Sequence, residues 1–503
     1  MTKSVTPVRW SWIDTAISAF SPSRAMKRYT ARATIANLRR MYEAGDRGRG
    51  AAGWSSTNRS ADSEIAAAGS ILRDRSRDLV RNNPLAASAV QVLVNNIVGP
   101  GIRPRAASRN KRLNQRVNDL FLEWSKRCDA HGHTDFHGIL ALAVREMVEG
   151  GEVLAVKRMR NNGPGVVPLA VELREADHLD DYKQSLSGDE GRIASGIQYD
   201  RNGRRTGYWM FPDHPGDNLN TFGRRHASVF VPDSMVAHMF ERQRVQSRGV
   251  PWAAPAMRAL QDLGDWQVAE MVRKKTEACM VGVVVGDDEV GDTSVGPTVE
   301  DENGNVIESF SPGMIAYARN GKTIEFNNPP HAGGVQEWNR VQQHLIAAGF
   351  RVPYAVMTGD LSQANFSSNR AGLNEFRRMV DQIQWTVVIP MFCDRIWSWF
   401  IEAAYADGLI DTNNVPVEWA PPAFESVNPW QDAQTDLLET RAGFRSISHQ
   451  IAKRGYDADQ VFTELAEDLT KAADLGLVLD SDPAKMTTAG QAQSTTPDDN
   501  QKE

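Results

Sequence analysis

The sequence is poor in cysteine and in long apolar stretches. Its 503 residues include three cysteines, Cys128, Cys279 and Cys393, which lie far apart and are odd in number. This usage argues against a disulfide framework and predicts a reducing compartment. No apolar run approaches the roughly 20 residues that a membrane span needs. The first residues lack the long apolar core of a secretory signal, so we expect a soluble protein made in the cytosol.

The chain also lacks an excess of positive charge. Its formal net charge of −6 and its pI of about 6.0 exclude a generic nucleic-acid binder. Hydrophobic residues make up 41% of the chain, which predicts ordered cores alongside polar, exposed segments. Residues 21–60 differ, because nine basic residues there face two acidic ones. This region is typical of a flexible basic arm, or alternatively of a segment that docks on an acidic partner.

Recognisable catalytic motifs are missing. Gly321-Lys322-Thr323 resembles the end of a phosphate-binding loop, but Ala316 stands where that signature requires glycine. A strand, rather than the required helix, is predicted to follow, and Asn320-Gly321 fits a type I′ hairpin turn. The serines of residues 362–368 have no histidine nearby in sequence, so we interpret them as hydrogen-bonding loop residues. We therefore expect a protein that is not an enzyme and holds no cofactor.

One histidine-rich stretch, CDAHGHTDFHG at residues 128–138, raises the possibility of a metal site. His131, His133 and His137, with the neighbouring thiol and carboxylates, are ligand types that zinc and iron accept. This leaves a metal-dependent hydrolase as an alternative function. However, His131 and His133 share a side only in an extended chain, and no second dense ligand group completes a shell. Asp135 is a predicted helix N-cap, so we interpret the stretch as a polar connection between helices.

Residues 61–245 combine helical periodicity with strand patterns. Asp62 is a predicted cap for the first helix, and Asn83-Pro84 begins a second. Asn202-Gly203 between two β-rich runs predicts a hairpin, and residues 228–241 predict another strand pair. Further helices are expected at 110–127 and after Asp135, and further strands at 152–158 and 168–175. The pattern predicts an α+β region with a mainly antiparallel sheet.

Long helices follow this region. A helix from Pro251 to about residue 280 would be about 40 Å long, and its thin apolar stripe suits packing against neighbouring copies. A second helix is predicted over 333–349, and a third from about residue 368 to 405. Pro390 lies inside the third helix and should kink it at a cost of about 3 kcal/mol. The residues expected to pack between copies are Met257, Leu260, Val268, Met271, Val335, Trp338 and Leu345.

Four stretches together resemble one family, the lambda-type phage portal proteins. They are residues 71–102, 124–136 with the GGEVLAVKR that follows at 150, 248–260, and 350–378, and they occur in family order. The resemblance spans about residues 60–475. It implies a ring, usually of twelve subunits, at one vertex of the procapsid, with DNA entering and leaving through the central channel. In this family the histidine passage serves as structure, which weakens the metal interpretation further.

The resemblance also implies a domain plan and partners. The expected parts are a flexible arm (1–60), a wing (61–250), a stem helix (251–280), a clip (281–332), a second stem helix (333–350), a channel loop (351–372), a kinked helix returning to the wing (373–427), a helical crown (428–478) and a disordered tail (479–503). The implied partners are further copies of the chain, double-stranded DNA bound without sequence preference, the terminase large subunit, major capsid and scaffold proteins, and head-tail connector proteins. The implied location is the virion, with the host cytoplasm during assembly and no membrane.

The resemblance places the narrowest part of the channel beside residues 356–369 of the predicted channel loop. This segment is rich in hydroxyls and amides. Neutral donors touch phosphates without the strong charge pairing that would hold a duplex in place, and acidic walls would repel DNA toward the axis. We expect the DNA-facing residues to be Asp360, Ser362, Gln363, Asn365, Ser367, Ser368, Asn369 and Arg370. A different capsid-attached protein, such as a neck or minor capsid component, remains a further alternative.

Overall fold

The computed structural model describes residues 12–24, 26–28, 58–185, 191–217, 227–279, 282–285, 298–300, 306–308, 323–326, 334–362, 366–424, 429–454, 456 and 458–477. It forms two units, Met1–Ser60 and Ala61–Glu503. The first unit contains helix α1, Trp12–Phe20, so these residues are helical where a flexible arm was expected. The predicted tail, 479–503, lies outside the described residues.

Two consecutive helices open the second unit. Helices α2 (Ala61–Asn82) and α3 (Pro84–Ile97) meet at Asn83, whose side chain accepts hydrogen bonds from the first backbone N–H groups of α3. Proline is tolerated there because the first turn of a helix has no partner for its N–H groups. Asp62 does not cap α2 as predicted. It lies inside the helix, and its carboxylate accepts from the backbone N–H and the hydroxyl of Ser247 at 2.7 and 3.0 Å.

The next two helices supply much of the core. Helix α4 spans Lys111–Ser125 and α5 spans Phe136–Glu149. Asp135 caps α5 as predicted, because its carboxylate accepts the Gly138 N–H at 2.8 Å. Trp124 is fully buried and donates its indole N–H to the Leu169 carbonyl at 2.8 Å. Its ring also lies 5.2 Å from that of Phe400, so α4 packs on a helix far along the chain.

Antiparallel strands confirm the mixed helix-and-sheet prediction. One sheet has the order β3-β2-β8 and another the order β4-β5-β6-β7. Their strands are β2 (Glu152–Met159), β3 (Leu169–Glu175), β4 (Arg192–Ala194), β5 (Ile197–Tyr199), β6 (Arg205–Met210), β7 (Val229–Pro232) and β8 (Val236–Phe240). A separate pair joins β1 (Arg103–Ala106) to β13 (Val417–Ala420).

The connections between strands test two predictions, of which one is confirmed and one is wrong. The Asn202-Gly203 hairpin joins β5 to β6, and Gly203 has the positive φ of 79° that such a turn requires. The strand pair predicted over 228–241 is wrong, because β7 and β8 belong to different sheets. A 3-10 turn at Asp233–Met235 separates them and redirects the chain from one sheet to the other.

The first long helix, α6, spans Met257–Cys279 and therefore begins six residues later than predicted. Pro255 explains the difference, since proline has no N–H to donate and disfavours helical geometry at the residue before it. Four short strands follow: β9 (Gly282–Val285) pairs with β12 (Thr323–Phe326), and β10 (Thr298–Glu300) pairs with β11 (Val306–Glu308). A strand therefore follows Gly321-Lys322 as predicted, whereas the Asn320-Gly321 turn lies outside the described residues.

A long helical run with a wide central turn follows. Helices α7 (Val335–Phe350), α8 (Tyr354–Thr358) and α9 (Phe366–Ile383) lead into a π-helical segment, Gln384–Cys393, and then into α10 (Asp394–Ala406). Pro390 lies within the π-helical segment. The disruption expected at this proline thus takes the form of widened turns, in which each N–H bonds to a carbonyl five residues earlier.

Three further helices close the described chain, where a helical region was expected: α11 (Pro429–Arg441), α12 (Ile447–Lys453) and α13 (Ala458–Asp474). One extended hydrophobic core joins α3, α4, α5, β2, the π-helical segment and α10, and a smaller one lies between the two larger sheets. Among the described residues, every helix is too short or too polar to cross a membrane.

Candidate functional site

The segment between α8 and α9 is the predicted channel loop, and it is shorter than the sequence suggested. Residues 356–358 belong to α8 and residues 366–369 to α9, so residues 359–365 connect the two helices. Gly359 ends α8 with a positive φ of 72°, a geometry that glycine adopts without strain. The loop therefore begins at a defined helix end.

Asp360 is held by its own neighbours. Its carboxylate accepts the Tyr354 hydroxyl at 2.9 Å and the Ser362 backbone N–H at 3.0 Å. The hydrogen bonds from Ser362, followed by the one from Tyr354, lower the pKa of Asp360 to about 2. The one acidic group predicted to face DNA is therefore ionised and already engaged in fixing the start of the loop.

Two helices from earlier in the chain, α3 and α7, hold the base of the loop. Ser88, in α3, donates its hydroxyl to the Met357 carbonyl at 2.6 Å. The ring of His344, in α7, stacks on that of Tyr354 with centroids 4.0 Å apart. Thr358 donates its hydroxyl to the Tyr354 carbonyl and accepts the Asp360 N–H. Helix α8 thus forms a small platform, packed between α3 and α7, from which the loop emerges.

The remaining predicted DNA-facing residues are distributed over this loop and α9. Ser362 is exposed, whereas Gln363 and Asn365 lie outside the described residues. The backbone of the first turn of α9 carries Ser367, Ser368 and Asn369. Arg370 follows them and pairs with Asp432 of α11, Nη2 to Oδ1, at 3.2 Å. Both charged residues of the predicted set therefore have partners within the chain.

The predicted packing stripe of the long helices divides into a buried and an exposed part. Met257 and Leu260 are buried in the chain's own core, and Val335 is half-buried. Val268 is 66% exposed and Leu345 is 57% exposed, and Met271 and Trp338 are exposed as well. Trp338 packs against Trp266 with ring centroids 4.4 Å apart, so α6 and α7 lie together. The exposed part leaves an apolar strip uncovered within one copy.

The histidine-rich stretch is organised around Asp129. Its carboxylate accepts three backbone N–H groups, from His131, His133 and Thr134, at 2.8 to 3.2 Å. These bonds outweigh burial and lower the pKa of Asp129. Burial raises the pKa of the Cys128 thiol to about 12. The acid and the thiol therefore shape and fill the turn, in agreement with the structural interpretation of the stretch.

His137 has a different environment from the other two histidines. It is half-buried, which lowers its pKa, and Gly101 lies against its ring, because a Cβ on that glycine would overlap the imidazole. His131 and His133 are exposed, with ring centroids 6.4 Å apart. His137 therefore does not share the exposed surroundings of His131 and His133.

Another group with metal-ligand chemistry occurs within the described residues, formed by Glu175, Asp177 and His214, whose ligand atoms lie within 4.8 Å of one another. Arg77 pairs with both carboxylates, at 2.9 and 2.7 Å. The guanidinium therefore already supplies the positive charge that a cation would bring to these carboxylates.

A buried ionic network was not foreseen from the sequence. Glu152, at the start of β2, is fully buried and contacts Arg248 at 2.6 Å and His238 at 2.8 Å. Burial alone would raise the pKa of Glu152, but Arg248 and His238 outweigh it and hold that pKa well below its usual range. Arg248 also bonds Asp181 and the Ser195 carbonyl. A signal was present in the sequence, since Glu152 directly precedes the apolar run Val153–Val156 of the same strand.

The same junction contains a close backbone crossing. A Cβ on Gly249 would overlap the Gly151 carbonyl, and a Cβ on Gly151 would overlap the backbone of Val250. Glycine is required here because two chain segments touch through their backbones. Together with the Glu152–Arg248 pair, this crossing joins the start of β2 to the segment that leads into α6.

Comparison with known proteins supports one family. Residues 47–384, more than half of the chain, match the family described as phage portal protein, lambda family. The chain is 24% identical to a probable portal protein of Halomonas phage phiHAP-1, with 81% of each chain covered. It is 20% identical to the portal protein of Escherichia phage N15, covering 84% of this chain and 88% of that one.

Solved structures give a more distant likeness. The neck of an empty gene transfer agent particle, computed with C6 symmetry, contains a chain 13% identical, with a TM-score of 0.45 and coverage of 76% of this chain and 93% of that one. A chain in the virion of a native gene transfer agent particle is 15% identical with a TM-score of 0.43, at the same coverage. On the match over residues 47–384, the chain belongs to the lambda family of phage portal proteins.

Proposed function

We propose that this chain assembles into a ring, usually of twelve copies, that forms the conduit for DNA at one vertex of a phage capsid. Membership of a structural rather than enzymatic family supports this function. The observation that carries it is the uncovered apolar strip of α6 and α7, which includes Val268, Met271, Trp338 and Leu345. Several large apolar side chains exposed on two adjoining helices indicate a contact with another molecule.

A second copy fits that strip better than a different protein. Closed rings use heterologous interfaces, in which each copy presents two different surfaces to its two neighbours. Helices α6 and α7 lie together through Trp266 and Trp338, so one copy presents a two-helix unit with apolar residues on the outside. Repetition of that contact around an axis would bury the strip in every copy.

The loop after α8 is the part of this conduit proposed to meet DNA. Because Asp360 is bonded to Tyr354 and Arg370 to Asp432, the contact would be left to neutral groups. We assign it to Ser362, Gln363, Asn365, Ser367, Ser368 and Asn369. Neutral donors bind phosphate weakly and without sequence preference, and weak contact lets a duplex slide.

The remaining regions receive the roles that the family plan gives them. Residues 61–250 form the wing, 251–280 and 333–350 the stem, 281–332 the clip and 428–478 the crown. The clip is proposed to meet the terminase motor during packaging and the head-tail connector proteins afterwards, and the outer wing to meet major capsid and scaffold proteins. The proposed location is the virion vertex, after assembly in the host cytoplasm.

Negative-stain imaging of the purified full-length chain tests the ring. We expect a ring with a central hole and about twelve-fold symmetry, because the stem strip is otherwise left in water. A homogeneous monomer over a range of protein and salt concentrations would overturn the proposal. Light scattering on the same sample gives the mass per particle independently of the image.

A further inference from the structure

The three C-terminal helices have almost no core of their own. Among the described residues of 429–477, the buried hydrophobic ones are two alanines, Ala458 and Ala472. Large apolar side chains are instead exposed along the same stretch: Trp430, Leu437, Leu438, Phe444, Ile447, Phe462, Leu465, Leu475 and Leu477. Few of these gain burial inside one copy, so the isolated helices lack the usual driving force for a stable position.

Charge divides this region into two unlike surfaces. The segment from Arg441 to Arg454 contains four basic residues and no acidic one. Phe444, which is 81% exposed, and Ile447 lie in its middle. Lys453 and Arg454 share the carboxylate of Asp436 in α11, and Arg445 pairs with Glu439 at 3.2 Å. Four basic residues thus meet two carboxylates, and the segment keeps an excess of positive charge. We call residues 441–454 the basic segment.

Helix α13 has the opposite character. It carries five acidic residues and one lysine. Phe462 and Leu465 lie on its apolar face and are 43% and 47% exposed, so this face is only partly covered. Glu464 and Asp468, one helical turn apart, are exposed at its border. The apolar face of α13 with this acidic border is called the α13 face.

We propose that the α13 face of one copy binds the basic segment of the next copy in the ring. Phe444 and Ile447 would then cover Phe462 and Leu465, while Arg441 and Arg445 would approach Glu464 and Asp468. A heterologous contact requires two different and complementary surfaces, and these two differ in charge and share exposed apolar groups. The inference rests on the proposed ring, because only a cyclic assembly lets every copy use both surfaces.

Charge reversal tests the pairing. The variant Glu464→Lys with Asp468→Lys, and the variant Arg441→Glu with Arg445→Glu, should each lower the fraction of chain in rings several-fold at low salt. The chain carrying all four substitutions should regain rings, because the charges are exchanged and complementary again. A matched control, Asp74→Lys with Arg75→Glu, reverses two exposed charges on α2 and should leave the rings unchanged.

Cross-linking tests which residues meet. Phe444→Cys and Phe462→Cys are combined in a Cys279→Ser background, where the other two cysteines, Cys128 and Cys393, are buried. A bifunctional maleimide should link successive copies into a ladder beyond the dimer, whereas either cysteine alone should not. A doubly substituted chain that gives only internally linked monomer would overturn the inference, as would rings of the charge variants equal to those of the unsubstituted chain.

The two proposals fail differently. An unsubstituted chain that forms no ring in negative stain removes the proposed function, and this inference with it. An unsubstituted chain that forms rings, but gives no ladder and no response to charge reversal, removes the inference alone and leaves the stem contact responsible for assembly.

Discussion

Arg248 and Glu152 form an ion pair that water does not reach. Their closest atoms, Nη2 and Oε1, are 2.6 Å apart, and the two side chains are 3% and 0% exposed. Glu152 begins β2, and Arg248 lies a few residues before α6, so the pair joins the sheet to the long helix. Glu152 also contacts His238 and Arg73, and Arg248 also contacts Asp181, yet loss of either partner of the pair leaves the other buried charge with less compensation.

Arg248→Ala should therefore lower the free energy of unfolding by about 3–5 kcal/mol, the usual cost of breaking a buried pair. Urea unfolding followed by tryptophan fluorescence measures the loss. Arg244→Ala provides the comparison, since Arg244 pairs with Glu64 at an exposed site and should cost about 1 kcal/mol or less. Equal effects of the two substitutions would contradict the buried-pair argument.

Stability should fall as pH is lowered from about 7.5 to 5.5. Burial lowers the pKa of His238 below its ordinary value, so the unfolded chain binds a proton at this side chain more readily than the folded chain. The unfolded state therefore gains protons as pH falls through the ordinary histidine pKa, and stability is lost. Melting temperatures across this range should show a smaller pH slope for His238→Gln than for the unsubstituted chain.

Exposed His449 is the control for that slope. His449→Gln makes the same side-chain change at an exposed position. His137 and His178 also have lowered pKa values from burial, so part of the slope should remain in His238→Gln. A slope that does not change in His238→Gln would show that other groups account for all of it.

Substitution of the stem strip should abolish assembly without unfolding the chain. Val268→Asp with Leu345→Asp puts charges at two exposed apolar positions, and a buried, unpaired carboxylate in an interface costs several kcal/mol. Analytical ultracentrifugation should show monomer where the unsubstituted chain shows rings. Gln267→Asp, next to Val268 and also exposed, should retain rings. Full assembly of the double variant would exclude this strip as the interface.

Added positive charge in the channel should slow the movement of DNA. Ser367→Lys with Ser368→Lys would place about 24 new charges around a twelve-copy ring, and each lysine close to a phosphate strengthens binding through counterion release. We expect slower packaging or altered DNA retention in a packaging assay, with partial recovery at higher salt. Normal packaging would count against the loop assignment. Ser367→Ala with Ser368→Ala should behave almost normally, and Ser70→Lys on α2 tests for general charge effects.

Removal of the Tyr354 hydroxyl should loosen the start of the loop. Tyr354→Phe keeps the ring that stacks on His344 but loses the 2.9 Å bond to Asp360. The pKa of Asp360 should rise toward its ordinary value, and amide hydrogen exchange at residues 359–362 should become faster. Tyr405→Phe, at an exposed position of α10, is the matched control. Unchanged exchange in Tyr354→Phe would mean that the Ser362 bond alone holds the carboxylate.

Local signals predicted the fold where a single residue decides a boundary. Asn83-Pro84, Asp135 and Asn202-Gly203 act within a few residues of the structures they specify, and all three occur as expected. The prediction that Asp62 caps a helix was wrong, because its carboxylate accepts a hydrogen bond from Ser247, a partner nearly two hundred residues away. Propensity rules do not contain such a partner, since they consider only neighbours in sequence.

The candidate site was predictable in its position but not in its internal contacts. Composition identified the hydroxyl- and amide-rich segment near Ser362, yet it treated Asp360 and Arg370 as free to meet DNA. Their partners, Tyr354 and Asp432, become evident only in three dimensions. The Glu152–Arg248 pair was missed for the same reason, because the two residues lie far apart in sequence and meet only in the folded chain.

The π-helical segment at Gln384–Cys393 sets how far α10 is rotated about the helix axis relative to α9. A π turn accommodates more residues than an α turn, so the segment acts as a small insertion that rotates everything after it about the helix axis. The aromatic residues of α10, among them Trp397 and Phe400, reach the core only at that rotation. The number of residues in this segment therefore matters for packing. A one-residue deletion that restored a regular α-helix would turn the rings of Trp397 and Phe400 away from Phe121 and Trp124.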